Sequence, residues 1–179
     1  MRTVIVYESM YGNTRAIAEA IAGGLGPEHQ TVVVPVAQAR PELLDGAGLV
    51  VAGGPTHVHG LSRASTRHAA AEAAGQPGSG LTLDPGANGP GLRDWFEGLD
   101  RADTAAAAFD TRLEGPAMVT GRASKAIARM LRHHGFSLAA DPESFLVTKA
   151  NRLRDGEEDR ARAWGRQLAS RAAEKVAAG

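Results

Sequence analysis

The chain of 179 residues contains no cysteine. That excludes disulfides, thiolate metal ligands and a cysteine nucleophile, and it fits a reducing compartment, so the cytoplasm is the expected location. It also has no net charge, with 20 basic and 20 acidic residues. Nothing global therefore draws it to nucleic acid or to an anionic membrane. No apolar run is long enough to span a bilayer. The first residues run straight into a strand pattern, without a basic and then apolar leader, so no secretory signal is expected. Aromatic residues are few: two Trp, two Tyr and four Phe. Also missing are the Gly-x-Ser-x-Gly elbow of hydrolases, a phosphate loop ending in Gly-Lys-Ser/Thr, and His-Glu-x-x-His. Asp84, Asp94 and Asp110 have no evident acid–base partner in the sequence.

What is present is concentrated near the start. Thr3-Val4-Ile5-Val6-Tyr7 is a short β-branched run that reads as a buried strand. In Arg15-Ala16-Ile17-Ala18-Glu19-Ala20-Ile21-Ala22, Ile17 and Ile21 stand four apart, a helical spacing. Between them lies Glu8-Ser9-Met10-Tyr11-Gly12-Asn13-Thr14, a small, hydroxyl-bearing loop. A strand that turns directly into a helix aims free backbone N–H groups, and the positive end of the helix dipole, at one point. A phosphate fits there. Ser9 and Thr14 add hydroxyls, and Gly12 allows close backbone approach. An ordinary N-cap at Asn13 or Thr14 is the simpler alternative.

The rest of the chain alternates strands with helices. Gly23, Gly24 and Gly26 read as the end of the first helix, followed by a strand over residues 31–36 in which Pro35 implies a sheet edge. Residues 41–44 suggest one helical turn. Residues 48–54 form a third strand, which runs into Pro55-Thr56-His57-Val58-His59-Gly60. Residues 61–74 read as helix and 76–91 as an irregular Gly- and Pro-rich loop. Residues 92–99 return to helix, with Leu92, Trp95, Phe96 and Leu99 on one face. A fourth strand is expected at 104–109, ending in Asp110-Thr111-Arg112. A basic helix follows over 122–134, with Ala123, Ile127, Met130 and Leu131 on its apolar face. Extended segments at 136–139 and 144–148 precede a closing helix at 156–177 that turns Trp164, Leu168 and Val176 inward.

This order predicts an α/β fold, with one doubly wound, five-stranded parallel sheet in strand order 2-1-3-4-5 and helices on both faces. A single domain spans residues 1–179. Ligands of such sheets bind at the carboxyl ends of strands one, three and four. The candidate binding residues are therefore Ser9, Met10, Tyr11, Gly12, Asn13 and Thr14 in the first loop. The second loop offers Pro55, Thr56, His57, Val58, His59 and Gly60, and the third Asp110, Thr111 and Arg112.

Ser-x-Tyr-Gly-Asn-Thr after the first strand resembles the FMN phosphate loop of flavodoxins, written Thr/Ser-x-Thr-Gly-Asn-Thr. Ser9, Gly12, Asn13 and Thr14 match it position by position. Tyr11 departs from it, and Ser-Met-Tyr-Gly is similar to the loop of flavodoxin-like quinone reductases. Gly-x-Pro-Thr at Gly53–Thr56 resembles the matching second loop of those relatives. The resemblance implies a flavodoxin-like three-layer sandwich with FMN as cofactor. A metal at His57-x-His59 is not expected, since no carboxylate or cysteine lies close by in sequence to complete the site. It implies an electron carrier or an FMN-dependent oxidoreductase of the NAD(P)H:quinone type. Partners would then be a redox protein, or a nicotinamide or quinone small molecule, with a second copy of the chain as another way to complete a pocket.

Two features depart from the family. Flavodoxins place Trp and Tyr beside the flavin, and this chain offers His57 or His59 and no Tyr after the fourth strand. Arg112 after the fourth strand would stand near the flavin, where a cation would favour negative charge on the reduced ring and raise its potential. The simpler alternative is a solvated Arg or a surface ion pair with Glu114. The missing rings leave an alternative, a flavodoxin fold without redox activity that binds another phosphate-containing ligand or a protein. The basic helix offers a face for an acidic redox partner or a nucleotide phosphate, or simply a solvated side.

Overall fold

The computed structural model describes residues 1–177, with the backbone alone for 175–177. Strand β1 (Arg2–Tyr7) leads through the first loop into helix α1 (Asn13–Leu25). Strand β2 (Gln30–Pro35) follows, then two short 3-10 turns at Val36–Gln38 and Pro41–Leu44, and strand β3 (Leu49–His57). The two-residue strand β4 (Gly60–Leu61) precedes helices α2 (Ala64–Gly75) and α3 (Leu92–Glu97). Strand β5 (Ala105–Leu113), helix α4 (Ala117–Thr120), helix α5 (Ala123–His133), strands β6 (Ser137–Leu138) and β7 (Glu143–Val147), and helix α6 (Glu157–Ala177) complete the chain.

The main sheet has the expected parallel order, β2-β1-β3-β5, with β6 and β7 both beside β5. The fifth strand is thus split in two, at Ala105–Ala106 and again at Phe109–Leu113 of β5. Pro35 marks an edge, since β2 pairs only with β1. Each sheet face has its own core. One packs α1 and α6 on the sheet through Ile17, Ile21, Trp164 and Leu168. The other packs α3 and α5 through Leu92, Phe96, Ile127 and Leu131. Alternate β5 residues split between them, Phe109 joining the first and Ala108 the second, as the period of two requires. Met130 is partly buried against the second core. Val176 lies outside the residues whose side chains are described.

Three expectations change. Helix α1 does not stop at the glycines but runs through Gly23 and Gly24 to Leu25, with Gly26 (φ 93°) as its C-cap. The reason is packing. A Cβ on Gly24 would stand 2.1 Å from the Arg162 carbonyl oxygen, and one on Gly165 would stand 2.3 Å from that of Ile21. The two glycines let α1 and α6 cross at backbone contact. Strand β5 runs on to Leu113, so Asp110, Thr111 and Arg112 are strand residues. And Gly60, expected in the second loop, pairs back onto β3 as a hairpin together with Leu61, expected in a helix.

Candidate functional site

The carboxyl ends of β1, β3 and β5 converge on one open cavity of about 120 Å³. Its floor is the first loop. Gly12, with φ 91°, is the residue before α1, and its N–H donates to Ser9 Oγ at 3.1 Å. Only a residue tolerant of positive φ makes this turn without strain. The first-turn amides of α1 have no intrahelical acceptor, and no acidic side chain occupies that turn. Thr14 is buried and shares a 2.7 Å hydrogen bond between its hydroxyl and that of Thr111, joining the first loop to β5. Asn13 Nδ2 donates to Asn151 Oδ1 at 3.1 Å and to its carbonyl at 3.2 Å, tying the loop to the turn after β7. Tyr11 donates its hydroxyl to the Ala70 carbonyl of α2 at 2.8 Å. That anchoring gives Tyr11 a role of its own at the position where it departs from the loop pattern.

Behind the loop, Asp84 donates its N–H to the Met10 carbonyl at 2.8 Å. Its carboxylate lies 3.2 Å from Arg15 Nε, an ion pair not aligned as a hydrogen bond. Glu8 is buried just before the loop, where Ser62 Oγ donates to Oε1 and Leu92 N–H donates to Oε2 at 2.9 Å. This carboxylate ties the end of β1 to the starts of α2 and α3.

The second loop is a hairpin. Thr56 pairs with Leu61 and His57 with Gly60, around the two central residues Val58 (φ 44°) and His59 (φ 69°). Positive φ at both is the backbone of a type I′ turn, where Asn-Gly is the unstrained pair. A β-branched Val there is strained. The hairpin is fastened to α5, with Thr56 Oγ1 accepting the Ala123 N–H at 2.9 Å and His59 bridging to Gly121. His57 faces the cavity, and burial lowers its pKa below the usual 6.5, partly offset by the Glu8 carboxylate. It is neutral at pH 7.

Arg112, on β5, donates Nη1 to the Leu113 and Gly115 carbonyls (3.2 and 2.9 Å) and to Thr120 Oγ1 (2.8 Å). It thus braces the loop before α5, while its buried Nε–H has no partner. Asp110 turns the other way, as alternation along a strand demands. It is fully buried and accepts the Ser124 N–H at 2.7 Å. Burial pushes its carboxyl above the ordinary value, against the pull of that amide.

Nine of the residues expected from sequence line the cavity: Met10, Tyr11, Asn13, Thr14, Pro55, Thr56, His57, Thr111 and Arg112. Ser9 and Gly12 shape its floor from behind. Val58, His59 and Gly60 stand outside it, and Asp110 lies beneath α5. Leu113, Val147 and Asn151 join the lining without having been expected. A count of the fifth strand's carboxyl end among the ligand loops would have found the last two. Of Leu113, the sequence carries no signal.

The lining suits an anion. It contains no carboxylate among the described residues, and Arg112 is its one charged side chain. The first-turn amides of α1 have no intrahelical acceptor, and the Arg112 guanidinium brings a positive charge to the lining. Histidine, proline and aliphatic side chains offer apolar contact in place of Trp and Tyr. Its volume is small beside the roughly 300–1,000 Å³ of pockets that enclose a ligand of such size. Part of a nucleotide held here would therefore remain exposed. Among the described residues no cluster of three potential metal ligands exists, and no helix is long and apolar enough to cross a membrane.

A doubly wound α/β sheet with an anion-binding cleft at its strand ends defines the class, a protein that binds a phosphate-bearing cofactor at a topological switch point. The flavodoxin family profile matches residues 5–164, and the chain belongs to that family. Its structure resembles a flavodoxin from the domain Archaea at 18% identity and TM-score 0.65, covering 97% of this chain and 99% of that one. It resembles oxidised flavodoxin 1 from Bacillus cereus at 16% identity and TM-score 0.66, over 95% and 98% of the two chains. A WrbA-like flavodoxin from Agrobacterium tumefaciens matches at 18% identity and TM-score 0.55, over 97% and 98%. No match to the chain is found among curated protein sequences. FMN is the cofactor, and the chain is an FMN-binding redox protein of the flavodoxin type.

Proposed function

We propose that the chain is an electron carrier that exchanges electrons with protein partners through bound FMN. The observation that supports this reading best is the place of residues 76–91. A reductase needs a pocket over the flavin, and this long loop is the segment of the chain able to build one. Instead it packs on the far side of the first loop. Asp84 sits against Met10 and Arg15, and Gly86 and Gly89 lie beside Pro35 and Ala37 near β2. No residue of the loop lines the cavity. The mouth between the hairpin and β5 stays open, which suits transfer across an exposed edge.

FMN supplies the redox chemistry, taking up and releasing electrons one or two at a time. The chain's own residues position and tune it. The first-turn amides of α1, with the Thr14 hydroxyl, would hold the phosphate, on a turn that Ser9 braces from behind. The neutral His57 and the aliphatic side chains of Pro55, Leu113 and Val147 offer the ring apolar surface at little cost in buried charge. Arg112 is fixed by three acceptors, so its guanidinium charge would be preorganised toward a cofactor in the cavity and would favour the reduced, more negative form.

The test compares two routes of reduction of the FMN-loaded protein. A flavoprotein reductase using NADPH should reduce it quickly, and NADH or NADPH alone, with a quinone present, should be oxidised no faster than by free FMN. Rapid quinone reduction with nicotinamide alone would replace the carrier reading with the quinone-reductase one. In that case a second copy of the chain would close the pocket.

A further inference from the structure

Four large apolar side chains are exposed among the described residues: Val58 (81%), Leu113 (52%), Met118 (98%) and Val119 (65%). All four come from the segments that surround the mouth of the FMN cavity, the β3–β4 hairpin and the stretch from the end of β5 through α4. Val58 is the most telling. A β-branched residue at φ 44° costs stability that Asn or Gly would not, and this one contributes nothing to the core. The fold thus holds an apolar side chain out at the hairpin tip against a backbone penalty.

Beside this apolar rim lies a second cleft, of about 410 Å³, between the hairpin and α5. His59 and Met118 form one side of it, and Arg122, Lys125 and Arg129 the other. Arg122 is fixed by hydrogen bonds to Ser144 Oγ (3.1 Å) and the Pro142 carbonyl (2.6 Å), and its charge also acts on the buried Asp110 carboxyl. None of the ion pairs among the described residues involves Lys125, Arg129 or Arg132. The spacing of 122, 125, 129 and 132 makes one stripe along α5, opposite its buried Ile127 and Leu131. Between residues 112 and 134 the sequence has five Lys and Arg but a single carboxylate, Glu114, although the whole chain is neutral. The positive charge is local to this face.

We propose that this surface docks the redox partner and that the partner's docking face is acidic. Val58, Met118 and Val119 give the apolar contact at the flavin edge, and Lys125 and Arg129 pair with carboxylates beside it. This rests on the carrier reading above, whose partner it specifies. A patch of this kind gives fast, weak, salt-sensitive association, which suits a carrier that must leave as readily as it arrives.

Two measurements test it. The FMN-loaded protein, reduced with dithionite, is mixed with an acidic haem protein, cytochrome b5. One electron passes to the ferric haem, which becomes ferrous. The rate should fall steeply as salt rises, and Lys125→Glu with Arg129→Glu should cut it about tenfold or more at low salt. Basic cytochrome c should show the opposite salt trend, and reduction of a small uncharged quinone should not change in the variant. An acidic-partner rate that ignores salt and charge reversal overturns the proposal.

The second measurement needs no flavin. An NMR titration of the 15N-labelled chain with cytochrome b5 should shift the amides of Val58, Met118, Lys125 and Arg129. Shifts elsewhere, or none, overturn it. Saturable binding of adenosine 2′,5′-bisphosphate at Lys125 and Arg129, with no response to the acidic protein, would make the cleft a nucleotide site instead. A chain that holds no FMN yet shows the amide shifts would sink the carrier reading and leave the docking face standing.

Discussion

Replacing Gly121 by alanine should loosen the site while leaving the two cores intact. Gly121 follows α4 with φ 78° and ψ 177°, a conformation that is almost confined to glycine. Holding any other residue there costs about 1–3 kcal/mol. The added Cβ would also stand 2.2 Å from the Cα and the carbonyl oxygen of His59. Those are backbone atoms, so the β3–β4 hairpin must move as a unit. The movement strains the 2.9 Å bond from Ala123 N–H to Thr56 Oγ1, itself worth about 1 kcal/mol. Urea unfolding of the flavin-free protein should show a loss of about 2–4 kcal/mol from these contributions together. FMN affinity, read by quenching of flavin fluorescence, should fall about tenfold, since one side of the cavity is displaced. Gly60→Ala is the control, because a Cβ there meets nothing within 4 Å. If Gly121→Ala kept both the wild-type unfolding midpoint and the wild-type FMN affinity, the hairpin would not depend on its contact with α5.

Thr14→Ala should weaken FMN binding by about 1.5–3 kcal/mol, one charge-assisted hydrogen bond, measured by fluorescence titration. Gly23→Ala should stabilise α1 by up to about 1 kcal/mol in urea unfolding, since its Cβ meets nothing. Gly24→Ala should destabilise by about 1–3 kcal/mol despite the better helix former, because it forces α1 and α6 apart. Asp110 has a raised pKa, so the stability it contributes is complete below its ordinary value of 3.8 and is lost as pH rises through the folded value. Asp110→Asn, which keeps an acceptor for Ser124 N–H, should therefore be the more stable protein at pH 7 and lose that advantage toward pH 4. His57 has the opposite sign. Its lowered pKa gives stability above 6.5 that is lost as pH falls toward the folded value, and His57→Gln should flatten the stability profile in that acid range.

The sheet order and the first loop were legible because both rest on local pattern. A β-branched run, a hydroxyl-bearing turn and an Ile-x-x-x-Ile repeat need no tertiary context. Pro35 likewise announced its edge through its missing donor. What escaped depended on contacts between distant residues. Gly23 and Gly24 look like a helix end, and only the α6 backbone beside Gly24 shows why the helix runs through. Val58 and His59 contradict the composition expected of a tight hairpin, so no turn signal marks them. Asp110 and Thr111 are neighbours in sequence and face opposite sides of the sheet, which was hidden while β5 was expected to end at Phe109. Residues 76–91 gave no clue to which side of the first loop they would cover, because Gly and Pro mark irregular chain without giving it a direction.

The central claim is that the loop from Ser9 to Thr14 holds the phosphate of FMN. Fluorescence titration of the flavin-free protein with FMN and with riboflavin, which lacks the phosphate, tests it most directly. FMN should bind at least about tenfold more tightly, the equivalent of one or more charge-assisted hydrogen bonds. Equal affinity for the two flavins, or no binding of either, would contradict it.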